Sequence, residues 1–271
     1  MPFTSNEVAS YYNEHVTEEG GRLDYNELEM PQTLRFVRKY IKRGAKILDL
    51  ACGTGRYASV LLEMGYKLAL NDISEKNVEL VKNKFGKNKN IISIERSDAI
   101  DSGFLQKPGW DAILLLGPLY HMPDKTARLN MLKCSGNALS AKGYLFSAFM
   151  SRVHAFIYGL KQEGFDISDG NSLAELWDKG RSDNIKNAGG WLRYTYFDFP
   201  EVVNPLITEA GLKPLHLIGI EGLFGERMEL YHKMNKKLKS RWMKFIMDHC
   251  EDLHMIEQSK HLLSISQLDN S

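Results

Sequence analysis

Apolar positions along the chain switch between two periods. Leu34, Val37, Tyr40 and Ile41 recur at helical intervals, which predicts a helix over about 32–42 with one buried face, ended by Gly44. KILDLA at 46–51 is an apolar run of strand length, and CGTGRYASVLLEMG at 52–65 reads as a glycine turn opening into a helix that Gly65 closes. The unit repeats with LALND at 68–72, a helix at 74–85 between Ser74 and Gly86, and IISIE at 91–95. WDAILLL at 110–116, a helix over about 124–139 and GYLFSAF at 143–149 extend it. Five strands alternating with helices predict an α/β, Rossmann-like, doubly wound core whose sheet carries helices on both faces.

That rhythm breaks toward the ends. Ser5 or Asn6 caps a short predicted helix carrying Tyr11 and Tyr12, and residues 1–31 read as a lid region. Residues 151–199, with IYGL, LAELW and WLRYTYF among scattered Gly, Asp and Asn, are too long for a bare connection and are expected to form an inserted cap. EVVNPLITEAG at 201–211 predicts a helix interrupted or kinked at Pro205. LKPLHLIGIEG at 212–222 and HLLSISQ at 261–267 add two strands, for a mainly parallel sheet of seven. Met234, Leu238, Trp242 and Phe245 mark a helical insertion over 228–257 before the last strand, and a single domain over 1–271 is expected.

Composition changes the picture only by exclusion. Hydrophobic residues at 43% and charged residues at 25% are ordinary globular values, which argues against disorder or a fibrous repeat. Lys plus Arg is 35 against 34 for Asp plus Glu, so no long-range attraction to nucleic acid is built in and none is expected as a partner. The basic run Lys233, Lys236, Lys237, Lys239, Arg241 and Lys244 reads as a solvated helix face rather than a membrane or RNA contact. Cys52, Cys134 and Cys250 have no CxxC spacing, and His249 with His254 misses the i, i+4 geometry of paired ligands, so no metal is expected. The opening MPFTSNEVAS lacks the pattern of a secretory signal, and the apolar run Ala112–Leu116 is far short of the roughly 20 residues of a membrane span. A cytoplasmic location follows as an expectation.

Chemistry concentrates at predicted strand ends. Gly53, Gly55 and Ala58 form a GxGxxA turn, which by itself suits a dinucleotide as well as other ligands. Asp49 discriminates, because a carboxylate at the end of the first strand repels a pyrophosphate and favours a cation there. S-adenosylmethionine, with an α-ammonium and a sulfonium and no phosphate, meets that demand. Gly53 and Gly55 then let the backbone approach the ligand. Asp72 is placed to accept from ribose hydroxyls, Ile73 to pack on the adenine, and Asp98 with the backbone of Ala99 to read the adenine edge.

LDLACGTGRYA, NDIS, SDAI and WDAILLLGPLYHM, in this order and spacing, resemble the successive motifs of class I S-adenosylmethionine-dependent methyltransferases over about residues 32–150. The resemblance implies cofactor contacts at Asp49, Ala51, Gly53, Asp72, Ile73, Asp98, Ala99 and Leu116, with S-adenosylhomocysteine as product. Ala51 stands where a first glycine is usual. From GPLYHM through EVVNPLITEAGL and EGL to HLLSISQ the chain is similar to a bacterial group of small-molecule-type methyltransferases.

Residues Gly117 to His121 follow the fourth strand and are expected to face the transferring methyl. Enzymes that methylate base amines place Asp, Asn or Ser before Pro-Pro and an aromatic there, and GPLY has no such acceptor, which points to a small-molecule nucleophile methylated in line. His121 is the general-base candidate, its bland alternative being a neutral imidazole bonded to a carbonyl. Tyr12 is placed to close over the cofactor. Tyr11, Tyr120, His121, Arg152, Arg193 and Tyr196 are substrate-binding candidates, with Arg22, His154 and Tyr194 in the same segments. Two rivals stand beside this reading: a non-catalytic S-adenosylmethionine-binding or interaction module, and an NAD(P)-dependent oxidoreductase supported by GxGxxA and Asp72.

Overall fold

The computed structural model describes residues 4–16, 21, 24–122, 124–161, 170–181 and 195–269. Helix α1, Ser5–Glu14, opens with a capping box in which the Thr4 hydroxyl accepts from the Glu7 amide and the Glu7 carboxylate accepts from the Thr4 amide. Helix α2, Glu29–Tyr40, leads into strand β1, Lys46–Leu50. The chain then alternates: α3 Arg56–Glu63, β2 Lys67–Asp72, α4 Glu75–Phe85, β3 Ile91–Arg96, β4 Trp110–Leu115, α5 Lys125–Ala138 and β5 Leu139–Ser151.

Strand order is β3-β2-β1-β4-β5 and then two late strands, β8 His261–Leu268 and β7 Leu212–Gly219 at the edge. β8 runs antiparallel between β5 and β7; the other pairings are parallel. This is the expected seven-strand path with one addition. An eighth strand, the two-residue β6 (Phe197–Asp198), pairs with Met150 and Ser151 of β5. Two residues are too few to show a period, so pattern alone does not reveal it.

Strand residues alternate between two apolar layers. Ile47, Leu68, Leu70, Phe146 and Ile265 pack with Leu34, Val37 and Leu61 on one face. Leu48, Leu50, Ile113, Leu115 and Phe149 pack with Met131, Val203 and Ile207 on the other. Helix α8, Pro200–Glu209, runs through Pro205 without the expected interruption. Pro205 is the sixth of the helix's ten residues, so its missing N–H leaves Glu201 O without that helical donor, and Pro200 occupies the first turn.

Residues between β5 and α8 include α6, Arg152–Lys161, and α7, Gly170–Lys179, and return through β6. Two buried guanidiniums fasten the return. Arg128 of α5 donates to both oxygens of Asp198, at 2.9 and 2.5 Å, with both side chains 3% exposed. Arg152 donates to Phe197 O at 3.1 and 3.0 Å and to Trp177 O at 2.6 Å. The segment before β8 forms α9 Met228–His232, α10 Lys236–His249 and α11 Leu253–Gln258, and Met228, Tyr231 and Ile246 share an apolar cluster with Leu28 and Phe224. Among the described residues no helix is long and apolar enough to cross a membrane.

Removing one partner of a buried ion pair leaves the other charge stranded. Asp198→Ala is expected to lower the unfolding free energy by about 3–5 kcal/mol in urea titration, whereas Glu175→Ala, breaking the exposed pair with Lys179, shifts it by no more than about 0.5 kcal/mol. Gly55 is confined by packing as well as by its φ of 75°, since a methyl there would come within 2.7 Å of Phe85. Gly55→Ala is therefore expected to destabilise by about 2 kcal/mol or more in the same titration.

Candidate functional site

Parallel strands that lead to opposite faces leave a crevice at their carboxyl ends where the direction of winding reverses, here between β1 and β4. A cavity of about 540 Å³ occupies it, within the ~300–1,000 Å³ usual for small-molecule sites. Its walls come from the ends of β1, β2, β3 and β4, from the first half of α5, and from α1 laid across the top.

Asp49 sits on β1 opposite Leu70 of β2 and Leu114 of β4, so neighbouring strands bury it and leave it 2% exposed. Its Oδ2 has no partner among the described residues. Burial, and then the Asp72 carboxylate, push its pKa up to about 7. Beyond it Ala51 takes a φ of 64°, and Gly53 (55°) and Gly55 (75°) complete the turn. A left-handed L-residue costs roughly 1–2 kcal/mol, borne here where the backbone bends under the cavity. A methyl built on Gly53 would meet nothing within 4 Å, so the turn presents a bare backbone surface to the cavity.

Asp72 ends β2 as a brace for that turn. Its Oδ2 accepts from Gly53 N at 2.8 Å, and its Oδ1 accepts from Ser74 N at 2.8 Å and Asn77 Nδ2 at 3.2 Å. Burial raises its pKa, and these three donors oppose the rise. Ile73, Ala99 and Ile100 supply an apolar wall beside Asp98, whose carboxylate accepts from Ile100 N at 3.3 Å.

Leu116, Gly117, Pro118, Tyr120, His121 and Met122 form the opposite wall, with residues 118–121 wound into a 3₁₀ turn that sends Leu119 into the core. The Tyr120 hydroxyl donates to Leu116 O at 3.1 Å, tying the turn to the end of its own strand. His121 faces α1, where its Nε2 lies 2.7 Å from the Tyr12 hydroxyl with the rings edge to face. Asn13 fixes the same helix to the start of α4, accepting from Ser74 Oγ at 2.7 Å. Thr4, Ser5, Val8, Tyr12 and Val16 thereby roof the cavity.

Of the residues expected from sequence, Tyr12, Asp49, Ala51, Gly53, Asp72, Ile73, Asp98, Ala99, Leu116, Tyr120 and His121 converge on this one cavity. Four others do not line it. Gly55 packs on Phe85 and Val81 of α4, so its role is close helix packing rather than ligand approach. Tyr11 stacks on His15 at 4.3 Å because the helix turns it away from Tyr12's direction. Arg152 is spent on the carbonyls that hold β6. Tyr196 lies under the Arg128 guanidinium at 4.4 Å, and its amide donates to Tyr120 O at 2.7 Å, so it touches the motif turn from behind. Arg193, like Arg22 and Tyr194, lies outside the described residues.

His154 is also elsewhere, buried against Glu226 at 2.5 Å. The site gains Glu29, Arg56, Asn77, Ala127 and Asn130, which sequence reading passed over. The spacing of Ser5, Val8, Tyr12 and Val16 was a usable signal for a roof helix. For Asn130 on α5 nothing distinguished it from an ordinary exposed helix residue.

Comparison with known proteins agrees with this geometry. Residues 47–143 match the model of a methyltransferase domain family. A stretch of 67 residues is 39% identical to the ribosomal protein L11 methyltransferase of Thermotoga neapolitana, and it spans 24% of this chain and 25% of that protein, so only about a quarter of the curated relative's length is matched. The N-methyltransferase NodS of Bradyrhizobium japonicum, solved with S-adenosylhomocysteine, superposes with a TM-score of 0.60 at 13% identity, covering 97% of this chain and 100% of that one. The 1,6-didemethyltoxoflavin-N1-methyltransferase of Burkholderia thailandensis gives 0.59 at 14% identity, covering 99% and 93%. Residues 47–143 thus match a methyltransferase domain family, and the chain shares the fold of these S-adenosylmethionine-dependent methyltransferase structures.

Proposed function

We propose that the protein binds S-adenosylmethionine and transfers its methyl group to a small-molecule nucleophile. One observation carries the reading. A buried carboxylate, Asp49, ends the first strand with an orphaned oxygen at the mouth of a bare glycine turn, a place that suits an α-ammonium and repels a diphosphate. The other residues fit the rest of the molecule: Asp72 keeps acceptor capacity on Oδ2 for a ribose hydroxyl, and Ile73, Ala99 and Ile100 offer an apolar slot for adenine beside Asp98. Bound there, the cofactor supplies a sulfonium-activated methyl.

The chain itself then has to orient the acceptor and keep water out. Alignment of reacting groups supplies roughly 7–11 kcal/mol in favourable cases. Roofing by α1, latched through Tyr12 and His121, restricts the cavity to a small acceptor. His121 is the base for an acceptor hydroxyl or thiol, with Tyr12 holding the imidazole in place. Gly117 offers no amide or carboxylate to a base amine, which weighs against nucleic-acid substrates.

The raised pKa of Asp49 makes this reading testable by pH. Its folded value of about 7 lies above the unfolded carboxylate's, about 3.9, so protonation stabilises the ligand-free protein below pH 4 and that contribution is lost as pH rises through 7. A ligand ammonium needs the ionised form. Calorimetry is therefore expected to show S-adenosylhomocysteine binding that tightens as pH rises from 5 to about 7, with proton release below 7, and weakens again only in alkali, where the ligand's own ammonium loses its proton. Asp49→Asn loses a charge-assisted contact of about 1.5–3 kcal/mol, a weakening of roughly ten- to a hundredfold. Flat pH dependence, or NAD binding in place of S-adenosylhomocysteine, refutes the assignment. Methyl-labelled S-adenosylmethionine incubated with the protein and fractionated cell extract is expected to mark a low-molecular-weight fraction; label in protein or RNA, or in no fraction, would contradict a small-molecule transferase.

A further inference from the structure

Glycines around the cavity have separable reasons to be glycine. Gly53 and Gly55 take φ values of 55° and 75°, and Gly55 has no room for a methyl. Gly117 has neither reason. Its φ is −140° with ψ −50°, which is not left-handed, and a Cβ built on it would lie 3.7 Å from the Ala51 Cβ and 3.8 Å from the Tyr120 hydroxyl, ordinary contact distances. It nonetheless lines the cavity, at the end of β4. A side chain here would take space from the cavity and leave the protein undisturbed.

We propose that Gly117 determines which acceptor the enzyme takes: the space left by its missing side chain admits the acceptor's reacting group, and that acceptor is a planar aromatic hydroxyl or thiol. This rests on the methyltransferase reading above. The corner beside Gly117 is built of rings, with Tyr120 and His121 at 4.7 Å and 63°, and Tyr12 and His121 at 5.4 Å and 83°. Edge and face positions of that kind suit a further aromatic ring. Residues 116–122, LGPLYHM, contain no carboxylate and no side-chain amide; of the cavity's other such groups outside the cofactor end, Glu29 accepts from Asn26 Nδ2 at 3.3 Å and Asn130 Oδ1 accepts from Cys134 Sγ at 3.7 Å. The imidazole of His121 is the proton acceptor there, while the Tyr120 hydroxyl is committed to Leu116 O.

The transfer then balances. The acceptor's O–H or S–H bond breaks with its proton passing to His121. The oxygen or sulfur bonds the methyl carbon as the carbon–sulfonium bond breaks, and that electron pair stays on the donor sulfur as a neutral thioether.

The test uses the full chain saturated with S-adenosylhomocysteine and 4-nitrophenol as probe. Wild type, Gly117→Ala and Gly117→Val are first compared by thermal melting and by S-adenosylhomocysteine calorimetry, where the three are expected to agree within about twofold in affinity. 4-Nitrophenol is then titrated by its absorbance. Binding to wild type is expected, weakened about threefold by Gly117→Ala and tenfold or more, on the order of one excluded methylene or larger, by Gly117→Val. Gly117→Ala keeps the test decisive if the valine variant does not fold. A wild type that binds S-adenosylhomocysteine and not 4-nitrophenol, or prefers benzylamine, overturns the acceptor class. Variants that bind 4-nitrophenol as wild type does overturn the role of Gly117. Absence of S-adenosylhomocysteine binding fails the methyltransferase reading instead, and this inference falls with it.

Discussion

A carboxylate held at the carboxyl edge of a parallel sheet, with neighbours on both sides, is the constraint on which the site depends. Asp49 is flanked by Leu70 and Leu114 and is 2% exposed, so water cannot solvate its charge. A buried ion without a partner is expensive, and the ligand-free protein lessens that cost by raising the group's pKa to about 7. Asp72 cannot relieve it. As a second carboxylate it adds repulsion, and its own oxygens are taken by the Gly53 and Ser74 amides and by Asn77. The glycine turn is thereby braced beside a buried carboxylate whose Oδ2 has no partner among the described residues.

The other half of the site is assembled from segments far apart in the chain. Strand β4 delivers the turn 118–121, α1 delivers Tyr12 to His121, and the return of the 151–199 segment places the Tyr196 amide on Tyr120 O. That return is itself held by the Arg128–Asp198 pair and by Arg152. Arg152, which sequence offered to a substrate, thus serves the architecture together with Arg128. They fix the back of the wall whose front faces the cavity, and for Arg152 the energetic reason is plain: a guanidinium buried to 7% exposure must spend its donors on carbonyls.

Much of the core was legible because its signals are local. Strand runs such as KILDL and WDAILL, the caps Ser74 and Asp124, and the turn glycines each act within a few residues. Motif spacing likewise placed Asp49, Gly53, Asp72, Asp98 and Leu116 on strand ends that the topology brings together. The strand β6 was not legible, since two residues carry no period, and neither was the continuity of the helix through Pro205, where local pattern predicts a break. Sequence assigned Tyr12 to the cofactor and Tyr11 to the substrate without knowing the helix phase, and of the two it is Tyr12 that meets His121 while Tyr11 stacks on His15.

By itself, then, the sequence determined the winding of the sheet, the glycine turn and the acidic strand tips, because hydrophobic period, turn chemistry and strand-end position are properties of neighbouring residues. Tertiary structure alone decided that Tyr12 meets His121 across 109 residues of chain, that Arg128 and Arg152 are architectural, and that Gly117 has neither a left-handed φ nor a close neighbour that a methyl would strike. Contacts of that kind depend on where separate elements come to rest against one another, and no local pattern carries the distance between them.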